Sequence, residues 1–164
     1  MNDLNQTNKT LLIGIGNYGR SDDALGWKFV DELADLCDLY DFEYRYQLQI
    51  EDAELVSNYK KVIFVDASHQ PLEKGFSYYP CIPAPTSAFT THQLNPETVL
   101  WLAGELFDDP PKGYVMAIGG IHWKLHYGLS NQAKRNFKSA VTYFKNEESS
   151  IVKLLSSKPN ALNT

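Results

Sequence analysis

Apolar residues follow two rhythms along this chain. Leu11-Leu12-Ile13-Gly14-Ile15 and Val62-Ile63-Phe64-Val65 are short continuous runs, the pattern of strands buried on both faces of a parallel sheet. Between them Gly26, Phe29, Val30, Leu33 and Cys37 recur at helical spacing. They predict a first helix over 22–37, with Cys37 as a core thiol on its apolar side. A second strand is predicted over 43–48, a short helix over 52–58, a third strand over 61–66 and an edge strand over 75–79. Pro80, Pro83 and Pro85 stiffen the loop that follows. Asn95 is placed to cap a helix with Pro96 at its first position and Val99, Leu102, Ala103 and Leu106 on one side. A strand over 113–118 comes next. Ser130 then caps a last helix with the stripe Ala133, Phe137, Ala140, Val141 and Phe144.

Strands alternating with helices predict a three-layer α/β fold. Its sheet is mostly parallel and twisted, with helices on both faces and one antiparallel edge strand, flavodoxin-like or phosphorylase-like. In that order strands one and three are neighbours, and ligands enter where their carboxyl ends part. Asp23 follows strand one and Asp66 ends strand three, so both are expected on one crevice. Alone, each would be read as a cap or turn residue. His92, in a polar stretch leading into the Pro96 helix, is the expected third group. Two carboxylates and an imidazole suit a divalent transition metal, and nickel, zinc, cobalt, manganese and iron all accept such ligands.

The glycines of the first loop offer a competing reading. Gly14, Gly16 and Gly19 satisfy G-x-G-x-x-G after a strand, a weak dinucleotide signature. A pyrophosphate at that helix start would meet Asp22 and Asp23, which repel it and favour a cation. The nucleotide reading therefore ranks below the metal one. Asp22 is the better candidate for a helix cap, which leaves Asp23 free.

The 164 residues predict a single α/β domain over 10–155, between a flexible arm over 1–9 and a frayed tail over 156–164. The net charge of −5 argues against a nucleic-acid partner. No apolar run reaches membrane-spanning length and no signal peptide is expected, so the reading is a cytoplasmic protein without membrane insertion. Cys37 and Cys81 have no metal-ligand spacing, as suits a reduced compartment. No serine or cysteine has an evident activating partner, which disfavours a covalent route.

The chain resembles the hydrogenase maturation protease family, endopeptidases that process the large subunit of [NiFe] hydrogenases. The matching pieces are Gly14-Ile15-Gly16-Asn17 with Asp22-Asp23-Ala24-Leu25-Gly26, then Val65-Asp66-Ala67, Thr91-His92-Gln93-Leu94 and Leu129-Ser130. The resemblance implies removal of a C-terminal peptide from the large-subunit precursor after nickel insertion. It implies metal contacts at Asp23, Asp66 and His92, with Asp23 and Asp66 also the catalytic candidates. Nickel, Ni(2+), arrives with the substrate in this scheme, and another divalent transition metal is the alternative. The protease itself is expected to be a monomer.

The chain departs from the family after its last core strand. Ile118-Gly119-Gly120-Ile121-His122-Trp123 stands where a Gly-hydrophobic-Gln-Pro stretch is common, and Lys124 to Gly128 is inserted. His122 and His126 would share one face of a helix, but Gly119, Gly120 and Gly128 bracket them. They read as loop or substrate-facing residues before ligands. His69 is a possible lip residue, and Tyr78, Tyr79 and Trp123 are partner-contacting aromatics if they are not packed inside. Two other functions stay open: a non-catalytic docking or assembly factor for a metalloprotein, and a nucleotide-binding α/β protein.

Overall fold

A computed structural model describes residues 7–86 and 94–156, by backbone alone from 151. Strands β1 (Thr10–Ile15), β2 (Tyr40–Arg45), β3 (Lys61–Ser68), β4 (Phe76–Cys81) and β5 (Lys112–Gly119) form one sheet in the order β2-β1-β3-β5-β4. β1 lies parallel to β2 and β3, and β3 parallel to β5; β4 runs antiparallel at the edge. Alternate side chains of β1 and β3 feed opposite faces, as the pleat requires. Leu12, Ile63 and Val65 pack with Phe29 and Val30 of α1 (Leu25–Glu32) and with Ala140 and Phe144 of α4 (Asn131–Ser156). Leu11, Ile13, Val62 and Phe64 pack on the other face with α2 (Asp52–Ser57) and α3 (Pro96–Phe107). The result is the expected three-layer, mostly parallel α/β fold. The Asn95 side chain accepts from the Thr98 amide and Pro96 opens α3, also as expected.

The first helix is shorter than its apolar spacing predicts. A 3-10 turn over Ser21–Ala24 precedes α1, and another over Ala34–Leu36 follows it. The tighter winding of that second turn carries Cys37 off the apolar face, so its thiol is exposed rather than in the core. β2 begins three residues earlier than predicted, because Tyr40 is the buried residue that starts it. At the amino end, the Thr7 amide donates to the Asn58 carbonyl and Lys9 pairs with Asp41. Among the described residues, no helix is long and apolar enough to cross a membrane.

Candidate functional site

The crevice at the carboxyl ends of β1 and β3 is built by close backbone approach. Gly26, early in α1, sits on the sheet so tightly that a Cβ there would lie 2.2 Å from the Ile15 carbonyl oxygen and 2.4 Å from that of Val65. Gly16 has φ +149°, and a Cβ on it would lie 1.9 Å from the carbonyl oxygen of Asp23. The glycines thus seat the Asp23 turn against the end of β3, where Asp66 follows Val65. They do not form a phosphate cradle. The amides of Gly16, Asn17, Gly19, Arg20, Ser21, Asp22 and Asp23 all donate within the protein. An anion would find these donors already spent, which weighs against the nucleotide reading.

Asp23 and Asp66 are both half-buried and share this crevice. Burial pushes the Asp66 carboxyl up to about 7, and the charge of Asp23 adds to the rise although the Ala67 amide donates to Asp66 Oδ1 at 2.8 Å. Burial also raises Asp23, opposed by the charges of Arg20 and His69. A buried carboxyl raised further by a second carboxylate could accept a divalent cation, because such an ion reverses the sign of that interaction. His92, the third expected ligand, lies outside the described residues. Among the described residues, no three His, Cys, Asp or Glu side chains group to hold a metal. The donors present there are the hard carboxylate oxygens of Asp23 and Asp66, a ligand type that suits a divalent cation.

Asp22, next in sequence to Asp23, has a different task. It is fully buried, and its side chain caps no turn of its own helix. Its Oδ2 accepts from the amides of Ile121 (2.8 Å) and His122 (3.0 Å) and from Ser130 Oγ (2.7 Å), while Oδ1 accepts from the Ser130 amide at 2.7 Å. Burial raises its pKa, but these hydrogen bonds outweigh that and hold it below the ordinary carboxylate value. Helix capping is nevertheless served at second hand: the Ser130 hydroxyl oxygen accepts from the Ala133 amide at the start of α4. Asp22 thus ties the loop over 120–130 to the turn that carries Asp23. Sequence reasoning placed Asp22 at its own helix, because partners about a hundred residues away leave no local signal.

That loop forms one wall of the site. His122 and His126 lie in it exposed, outside any helix. Trp123 is half-buried and stacks on His69, with ring centroids 3.6 Å apart and planes 18° from parallel. Both residues thereby sit at the lip of the crevice, His69 within electrostatic range of Asp23. Tyr78 instead stacks on Tyr114 and packs against the α4 side of the core, while Tyr79 is exposed. Cys81 is no nucleophile at neutral pH: burial, then the charge of Glu97, pushes its thiol up to about 12.

Neither a protein-family model nor a curated protein matches this chain. Solved structures do. The hydrogenase maturating endopeptidase HybD from E. coli is 22% identical with a TM-score of 0.68, over 86% of this chain and 93% of that one. The [NiFe] hydrogenase maturation protease HycI from Thermococcus kodakarensis KOD1 is 21% identical with a TM-score of 0.65, over 85% and 91%. The hydrogenase 2 maturation peptidase from a Thaumarchaeota archaeon is 20% identical with a TM-score of 0.61, over 86% and 98%. The shared property is the fold, spanning nearly the whole of each structure.

Proposed function

We propose that this chain is an endopeptidase that removes a C-terminal peptide from the nickel-loaded large subunit of a [NiFe] hydrogenase. The observation that carries the reading is the Asp23–Asp66 pair at the carboxyl edge of β1 and β3, with Asp66 raised to about 7. The likeness in fold to maturation endopeptidases supports it. Asp23 and Asp66, with His92, contact the nickel that the substrate carries. Held there, nickel would supply recognition of the loaded substrate and, as a Lewis acid, polarisation of the scissile carbonyl. Affinity of the free protein for nickel then need only be modest, so an empty precursor fails to dock and escapes cutting.

The chain's own residues account for the proton. The value of about 7 belongs to the free protein; a cation beside Asp66 lowers it, so the carboxylate is ionised and ready to accept a proton when the loaded substrate docks. Asp66 takes the proton of the attacking water as the tetrahedral centre forms, and delivers it to the departing amide nitrogen. Asp23 lies opposite it, its carboxyl raised by burial against the opposing charges of Arg20 and His69.

The test is intact-mass analysis of a hydrogenase large-subunit precursor from the same host, incubated with this protein with and without nickel. Loss of one C-terminal peptide from the nickel-loaded form alone is the expected result. A stable complex without mass loss would instead identify a docking factor, and neither loss nor complex would overturn both.

A further inference from the structure

The loop over 120–130 combines two properties that rarely coexist in a solvent-facing segment. Its backbone is fixed: the Ser21 amide donates to the His126 carbonyl at 2.7 Å, the His126 amide to Gly19 at 3.0 Å, the Asp22 amide to His122 at 3.0 Å, and Ser21 Oγ to Lys124 at 2.9 Å. Its large apolar side chains nevertheless point outward. Leu125 is 86% exposed, Tyr127 80% and Ile121 55%. Exposed apolar side chains on a fixed backbone mark an interaction surface, because the backbone has little ordering cost left to meet on binding.

Charge is segregated onto the same part of the chain. All 20 acidic residues lie outside 110–146, a stretch that carries Lys112, Lys124, Lys134, Arg135, Lys138 and Lys145. Arg135, in the second turn of α4, lines a cavity of ≈ 530 Å³ together with Ile121 and His69. Its Nη2 donates to Gln132 Oε1 at 2.7 Å, Gln132 Nε2 to Asn136 Oδ1 at 2.9 Å, and Asn136 Nδ2 to the Gly119 carbonyl at 2.8 Å. This relay orients the guanidinium along the cavity wall. Lys124 lies within the apolar loop and Arg135 on the wall of the cavity that Ile121 also lines, on a protein that is acidic overall.

We infer that Ile121, Leu125 and Tyr127 of this loop, with Arg135 across the cavity wall from Ile121, form the docking face for the folded body of the protein substrate. Its partner surface is an apolar patch edged by carboxylates. The inference rests on the function proposed above. The occupant follows from continuity: the loop is tied by Ser21 and Asp22 to the turn that carries Asp23. A protein that presents its chain to Asp23 and Asp66 therefore lies alongside these side chains. The cavity is too small for a folded domain but has room for an extended segment, and His69 on its wall is within electrostatic range of Asp23.

The experiment compares wild type, the double variant Leu125→Ala/Tyr127→Ala and Arg135→Glu. Cleavage of the nickel-loaded precursor is followed across precursor concentration and salt, and complex formation and self-association by sedimentation. KM should rise roughly tenfold or more in the double variant, as for loss of interface hot spots, with its denaturation midpoint unchanged. Arg135→Glu should raise KM at low salt and lose most of the dependence on ionic strength. An unaltered KM in the double variant overturns the inference and leaves the protease reading standing. A wild-type dimer that the double variant converts to monomer also overturns it, and assigns the face to a second copy of this chain. A wild type that neither cuts nor binds the precursor overturns both, and is visible before any variant is compared.

Discussion

Asp22 and Asp66 both lie at the carboxyl edge of the sheet and both lose water, yet their carboxyls move in opposite directions. Asp22 is the less exposed to solvent and is held below the ordinary value, because two amides and both the amide and hydroxyl of Ser130 donate to it. Asp66 accepts from the Ala67 amide and faces Asp23, so its charged form is penalised and it rises to about 7. Burial alone therefore does not mark a working carboxylate. What marks it is burial without enough donors, which leaves the group to be satisfied by something that arrives.

The largest expected effect tests that division directly. Asp66→Asn or Asp23→Asn should lower precursor cleavage by about 10²–10⁴-fold, the usual worth of general acid–base catalysis, while the folded state persists by circular dichroism. Normal processing by Asp66→Asn would remove it from the reaction and break the contrast with Asp22. Asp22→Asn should instead act on stability, costing about 2–4 kcal/mol in denaturant titration. Its new amide hydrogens would face the N–H groups of Ile121, His122 and Ser130, so the isosteric change is not a conservative one. An unfolding free energy equal to wild type would show that the loop over 120–130 is held without it.

The pH dependence of stability sharpens the same comparison. A carboxyl whose pKa is raised on folding binds its proton more tightly in the folded state. Ionised Asp66 therefore destabilises the protein in full above about pH 7, and the penalty fades as pH falls towards the ordinary carboxylate range. At pH 8, Asp66→Asn should be more stable than wild type by up to about 4 kcal/mol, since the carboxyl rises from near 4 to about 7 on folding, read as a gain of roughly 8–16 °C in Tm. That gap should close near pH 4. Asp22 works in the opposite sense: it stabilises above its unfolded value, and the contribution is lost as acid protonates it below that value. A gap between Asp66→Asn and wild type that widened in acid would show that Asp66 is satisfied after all.

How much of this was legible beforehand follows the range of the interactions. The buried runs of β1 and β3, the Asn95 cap and the meeting of Asp23 with Asp66 depend on local pattern and on a rule of sheet topology, and they could be anticipated. Leu33 and Cys37 are four apart, as an α-helical face requires, but the Leu36 amide donates to Leu33 and the turn tightens before Cys37 is reached. The link from Asp22 to Ser130 spans 108 residues, and nothing near either end announces it. His92, expected at the same edge of the sheet, lies outside the described residues.

The smallest effect separates the support from what it supports. Ser130 Oγ donates to Asp22 and accepts from the Ala133 amide, so Ser130→Ala removes one of the carboxylate's donors and the cap of α4 together. The Ser130 amide still donates to Asp22 Oδ1, and the amides of Ile121 and His122 still reach Oδ2. The loss should therefore stay near that of a single helix cap, about 1 kcal/mol, in denaturant titration. The pKa of Asp22 should move back up with one fewer donor, so the variant should lose stability at a higher pH than wild type as acid is added. Cleavage should persist, because Ser130 touches neither Asp23 nor Asp66. Loss of cleavage with the fold intact would place Ser130 in the reaction. The line between the carboxylate that holds the loop and the pair that faces the crevice would then no longer stand.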